Sequence, residues 1–70
     1  MSEAITLQPF QLRVVKELDE LVIKADALRL FFKTEFFLQL DEAEKDRLTK
    51  QSFYMDSYAD ILKQRIAAFK

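Results

Sequence analysis

Apolar residues along the first half of the chain fall at Val14, Leu18, Leu21, Ala25, Leu28 and Phe32, with spacings of 4, 3, 4, 3 and 4. That rhythm is a heptad seam, one stripe of an α-helix. Pro is tolerated at the first helical position, so Gln8-Pro9-Phe10 reads as the start of a helix over about 9–32. Glu20 and Lys24 stand four apart, spaced to pair on its surface. A second seam runs through Leu48, Ser52, Met55, Ala59, Leu62, Ile66 and Phe69, at spacings of 4, 3, 4, 3, 4 and 3. It predicts a helix over about 42–69, whose last turns carry Lys63, Arg65 and Lys70 where the dipole favours cations. Lys33-Thr34-Glu35 interrupts the pattern between the two. Thr34 can cap a short helical turn over Phe36 to Leu38, giving a connection over 33–41. Asp41, with Glu44 three residues on, is the next start signal. Residues 1–8 show no periodicity and read as a short arm.

These elements make one all-α domain over 1–70, an antiparallel helical hairpin with a short N-terminal arm. Two helices pairing through one seam each should be polar elsewhere, and these are not. The first also carries Leu12, Val15, Val22, Ile23, Leu30 and Phe31; the second carries Phe53 and a stripe of Tyr54, Tyr58 and Ile61. Leaving such surface in water forgoes roughly 1.5–3 kcal/mol per large side chain. A closed homo-oligomer resolves this. Composition points the same way. A chain of 70 residues without Cys has no disulfides to support a small core. The segment LFFKTEFF places four Phe around the break, and Phe32 and Phe36 are expected to stiffen this corner and thicken a subunit contact.

Composition also removes chemistry. With no His and no Cys, the usual zinc, copper and iron ligand sets are absent, as are Cys nucleophiles and Ser–His pairs. Gly is absent, so there is no glycine-rich phosphate loop. Asp19, Glu20, Asp41, Glu42 and Glu44 read as solvated charge at helix starts and exposed faces. No metal, cofactor or catalytic residue is expected, and the chain reads as a binding protein, not an enzyme. A net charge of −1 sets up no field for DNA or RNA. No apolar run approaches the ~20 residues that span a membrane. The first residues lack the basic and apolar blocks of a secretory signal. Cations do punctuate the first helix at Arg13, Lys16, Lys24, Arg29 and Lys33, and the second ends with Lys63 and Arg65. Antiparallel pairing brings the end of the second helix beside the start of the first, so Phe10, Arg13 and Arg65 can share one neighbourhood. Guanidinium groups fork onto phosphate and aromatic rings stack on bases.

One ordered pattern carries a resemblance. Arg13-Val14-Val15, Glu17, Leu21, Lys24, Leu28, Phe31, Phe37, Leu40, Glu44, Leu48, Gln51, Met55, Tyr58, Leu62, Arg65-Ile66 and Phe69 follow one another across residues 10 to 69. In order and spacing this resembles the small bacteriophage anti-CBASS sponge family, the second anti-CBASS protein to be named. The resemblance implies a helical homohexamer of interlocking trimers, acting in the cytoplasm of the infected bacterium. Such proteins sequester the cyclic di- and trinucleotides that CBASS defence uses as signals, without cleaving them. Dinucleotides are held in pockets between subunits by an aromatic near the N-terminus and a lysine of the first helix. Lys24 matches that lysine, and Phe10 is the best match to the aromatic, which is commonly Tyr in the family. Arg65 matches the arginine of the trinucleotide pocket. The ligand-binding set is therefore Phe10, Arg13, Lys24 and Arg65. The alternative is a homo-oligomeric coiled-coil structural or adaptor protein that binds only protein partners.

Overall fold

The structure, a computed structural model, describes residues 6–69. The arm expected over 1–8 is described only from 6 onward, and Lys70 likewise lies outside the described residues. Three helices follow in order: α1 over Pro9–Phe31, α2 over Glu35–Leu38 and α3 over Glu42–Ala67. Helix α1 opens with Pro9 in its first position, and the amide of Gln8 donates to the Gln11 side chain at 2.8 Å. That bond gives a partner to the side-chain oxygen of Gln11, a buried polar residue outside the seam. The helix closes one residue earlier than its seam, at Phe31, with Phe32 as its cap. Helix α3 likewise closes at Ala67, and Phe69 packs against the core from beyond the helical end.

The corner is built without glycine. Among the described residues no backbone enters the positive-φ region. Phe32 stays helical, and Thr34 and Asp41 swing to extended conformations as N-caps. The Thr34 hydroxyl donates to the Phe31 carbonyl at 2.7 Å and accepts from the Phe37 amide at 3.4 Å, so one side chain ends α1 and starts α2. A carboxylate oxygen of Asp41 accepts from the Glu44 amide at 2.7 Å. The Glu44 side chain turns instead to Arg47, so only one arm of the expected box is made. Phe37 anchors the connection: its ring meets Phe31 and Phe32 edge to face, with centroids 6.2 and 5.0 Å away. Lys45 lies over the same ring. Phe32 thus stiffens the corner, whereas Phe36 points outward and is 71% exposed.

Helices α1 and α3 are the long pair that packs together. Val14, Leu21, Ala59 and Leu62 form the buried cluster, with Leu18, Met55, Ile66 and Phe69 packed on it. All eight are seam positions. One ion pair between the helices marks the register: the Arg29 guanidinium reaches Asp56 at 2.7 Å and also holds Asp26 on its own helix. The hydrogen bonds that Arg29 donates to Asp26 and then Asp56 raise its pKa above the ordinary value. With Arg29 level with Asp56, the end of α1 lies near Tyr54. The first turns of α3 then project past α1, and the corner folds beside them.

Candidate functional site

Helical geometry sorts the exposed side chains into faces, because each residue turns the helix by about 100°. On α1 the buried Val14, Leu21 and Ala25 define the direction toward α3. Arg29 lies to one side of that direction. Arg13 and Lys24, eleven residues apart, return to nearly one bearing on the other side, about 16 Å from each other along the axis. On α3 the buried Ala59 and Leu62 define the direction toward α1. Asp56 lies to one side, and Tyr54, Tyr58 and Arg65 to the other. The Arg29–Asp56 pair joins like sides and so marks one edge of the hairpin. Phe10, Arg13, Lys24, Tyr54, Tyr58 and Arg65 therefore all emerge at the opposite edge.

Register then sets their levels. With Arg29 level with Asp56, Lys24 lies level with about Ile61, and Tyr58 and Arg65 stand within a turn on either side, about 5 Å along the axis. The two helix axes are ~8–10 Å apart. Arg13 sits about 10 Å further along than Arg65, and Phe10 is roughly 21 Å from Lys24. The edge thus holds two groups. Lys24, Tyr58 and Arg65 lie at neighbouring levels near the middle of the pair, while Phe10 and Arg13 sit at the open end. Arg65 is closer along the axis to Lys24 than to the Phe10 and Arg13 it was expected to join.

All four sequence-derived candidates are exposed. Among the described residues Arg13, Lys24 and Arg65 have no ion-pair partner. The Glu20–Lys24 pair allowed by spacing is not formed, although Glu20 and Glu17 share this edge and temper its charge. The paired cations, Arg29, Lys45, Arg47 and Lys50, belong to the other edge or to the first turns of α3. Hydrogen bonding to Asp46 raises the Lys50 pKa. Tyr58 was legible only as part of an apolar stripe. Its spacing of seven from Arg65 was the signal that the two share a face. The described residues of a single chain enclose no pocket, so this edge is one open wall. They also gather no set of three carboxylates, His or Cys suited to a metal ion. No described helix is long and apolar enough to cross a membrane.

Comparison with known proteins places the chain. A family model described as Sequestin matches residues 8–68, from the cap of α1 to the cap of α3. An uncharacterised 7.5 kDa protein of the denB-rIIB intergenic region of Enterobacteria phage T4 is 41% identical over 61 residues, covering 87% of this chain and 95% of the relative. No solved structure matches. The family match and the phage relative agree with the phage sponge-type family that the sequence resembles. On a match spanning nearly the whole helical hairpin, the chain belongs to the Sequestin family.

Proposed function

We propose that the protein sequesters cyclic di- or trinucleotide signals of bacterial CBASS defence, binding them without cleavage in the cytoplasm of the infected host. The observation that carries this reading is the Sequestin match over residues 8–68, since the name describes a protein that withholds something. The edge geometry suits the role. Lys24 and Arg65 offer cations to phosphates, with the Tyr58 ring on the same edge, and no metal-ligating set accompanies them among the described residues. Phe10 and Lys24 lie roughly 21 Å apart in one chain, too far to grip one small ligand together. A pocket using both is completed by a second copy, in keeping with a homo-oligomer, here proposed as a hexamer.

Isothermal titration against a panel of cyclic di- and trinucleotides tests the reading, followed by denaturation and chromatography of the released ligand. Saturable heat with intact ligand recovered is the expected result. Absence of heat at tens of micromolar would sink it for these signals, and altered nucleotide would turn the protein into an enzyme. A second reading, a structural coiled-coil protein binding only protein, is favoured by one observation. Leu12, Ile23 and Leu30 share the outer face of α1, away from α3, and all three are exposed. Oligomerisation without any nucleotide heat would select it.

A further inference from the structure

We infer that the outer stripes of α1 and α3 are two halves of one contact, each copy seating its α1 on the α3 of the next. The inference rests on the self-association in the reading above and on no ligand. On α1 the exposed Ile23, Ala27 and Leu30 are spaced 4 and 3, nearly opposite the seam. On α3 the exposed Tyr54, Ser57 and Ile61 are spaced 3 and 4. Laid antiparallel, the stripes mirror each other, with Ile23 against Ile61, Ala27 against Ser57 and Leu30 against Tyr54. The small pair in the middle lets the helices approach. Phe53, edge to face with Tyr54 at 5.4 Å between centroids, widens the surface that meets Leu30. Neither stripe carries a charge, so neither buries an ion. Ile23, Leu30, Tyr54 and Ile61 are each more than half exposed. Pairing a stripe with its own counterpart covers one and leaves the other in water, whereas the crossed contact covers both with one kind of interface.

The contact also repeats the register of the hairpin. With Arg29 level with Asp56, Ile23 lies level with Leu62, Ala27 with Tyr58 and Leu30 with Met55. Each crossed partner is one residue from that level, about 1.5 Å along the axis. The next copy is therefore seated with almost no axial step. A head-to-tail contact that climbs grows into a filament, and one that bends without climbing closes. This one bends: the α3 stripe leaves its helix about 140° from the direction of Ala59 and Leu62, on the Tyr58 side. A closed ring follows.

The chain has no Cys, so introduced thiols report on this contact alone. A disulfide needs Cα atoms within about 7 Å, which the mirrored register gives Ala27 and Ser57 of adjacent copies and the opposite faces of one chain deny. The experiment makes Ala27→Cys, Ser57→Cys and the double variant, all at exposed small residues, with helicity checked by circular dichroism. The two single variants, refolded together and oxidised, should yield at least tenfold more linked dimer than either alone. The oxidised double variant should give a ladder that ends at the native mass of the natural chain. Lys16→Cys, eleven residues from Ala27 and about 16 Å away along the axis, should not link to Ser57→Cys. Linking of Ala27→Cys to itself as readily as to Ser57→Cys would overturn the crossed contact, as would equal linking from Lys16→Cys or no link in any mixture. A ladder that continues past the native mass would overturn the closed ring. Titrating the natural chain with cyclic diadenylate and cyclic triadenylate separates the two readings. Links without nucleotide heat would sink sequestration of these nucleotides and leave the contact standing, and heat without links would do the reverse.

Discussion

Leu62→Ala probes the hairpin at its centre. Leu62 is fully buried, and the gap left by truncation would be lined by Val14, Leu21 and Ala59, with Leu18, Met55 and Ile66 around them. Truncations of this kind cost about 2–5 kcal/mol, the lower values arising where neighbours close on the gap. A two-helix layer can close partway, so about 3 kcal/mol is expected. One core in a chain this short supplies only about 3–5 kcal/mol. The variant should therefore sit near its unfolding midpoint unless association adds to its stability. The matched control is Ile61→Ala, one residue away and 52% exposed, where the half-buried side chain should cost about 1 kcal/mol. Urea denaturation followed by circular dichroism, at two protein concentrations, measures both. With a slope of about 1–1.5 kcal/mol per molar, the Leu62→Ala midpoint should fall by about 2–3 M. A midpoint that rises with protein concentration marks coupled association. If Leu62→Ala costs no more than Ile61→Ala at the lower concentration, Leu62 is not the centre of the fold and the seam has been misplaced.

Three further outcomes are expected. Lys24→Ala should weaken cyclic dinucleotide binding about tenfold or more while native mass stays unchanged; equal affinity by titration would reject Lys24 as a ligand contact. Ile23→Asp with Leu30→Asp should reduce the native mass, because those two exposed side chains offer about 2–4 kcal/mol per copy to a partner. An unaltered oligomer would place the interface elsewhere. Thr34→Ala and Asp41→Ala should each cost about 1 kcal/mol, seen as a melting shift of about 4–8 °C in a chain this size. A shift below 1 °C at both would deny the caps their role at the corner.

The seams were legible because burial obeys period. Val14, Leu21, Ala25, Ala59 and Leu62 are buried, and each was named from spacing alone. Thr34 and Asp41 were legible as caps because their short oxygen-bearing side chains have few other uses before a helix. Three features were hidden for physical reasons. Gln8 and Gln11 close the start of α1, yet glutamine at a cap is outside the usual residue set. Arg29 pairs with Asp26 and Asp56 instead of Glu20 pairing with Lys24. Spacing within one helix gives no information on which cation a second helix will capture. The level of Arg65 against Lys24, and not Arg13, follows from the stagger of the hairpin. That stagger depends on a corner whose length and path only the folded chain reveals.

The stagger is also what separates the tasks of so small a chain. Had α1 and α3 been flush, Arg65 would lie abreast of Arg13 and Phe10, and the cations would crowd the open end. Instead the corner takes up the first turns of α3, and Phe37 holds it there against Phe31 and Phe32. The shift moves Arg65 inward, level with Glu20 and one turn from Lys24. The seam, the outer stripe of Leu12, Ile23 and Leu30, and the cationic edge then occupy three different bearings on α1. The seam that stabilises the hairpin and the faces proposed for association and ligand capture can therefore each be changed by substitutions that leave the other two untouched. If the aromatic cluster at LFFKTEFF helps set the register of the two helices, it should act on the proposed ligand face from a distance. Shortening or loosening that corner, for example with Phe37→Ala, should weaken nucleotide binding in the proposed pocket even though Phe37 touches no ligand. If binding in Phe37→Ala stays within twofold while the melting temperature falls, register is held by the seam and the Arg29–Asp56 pair alone.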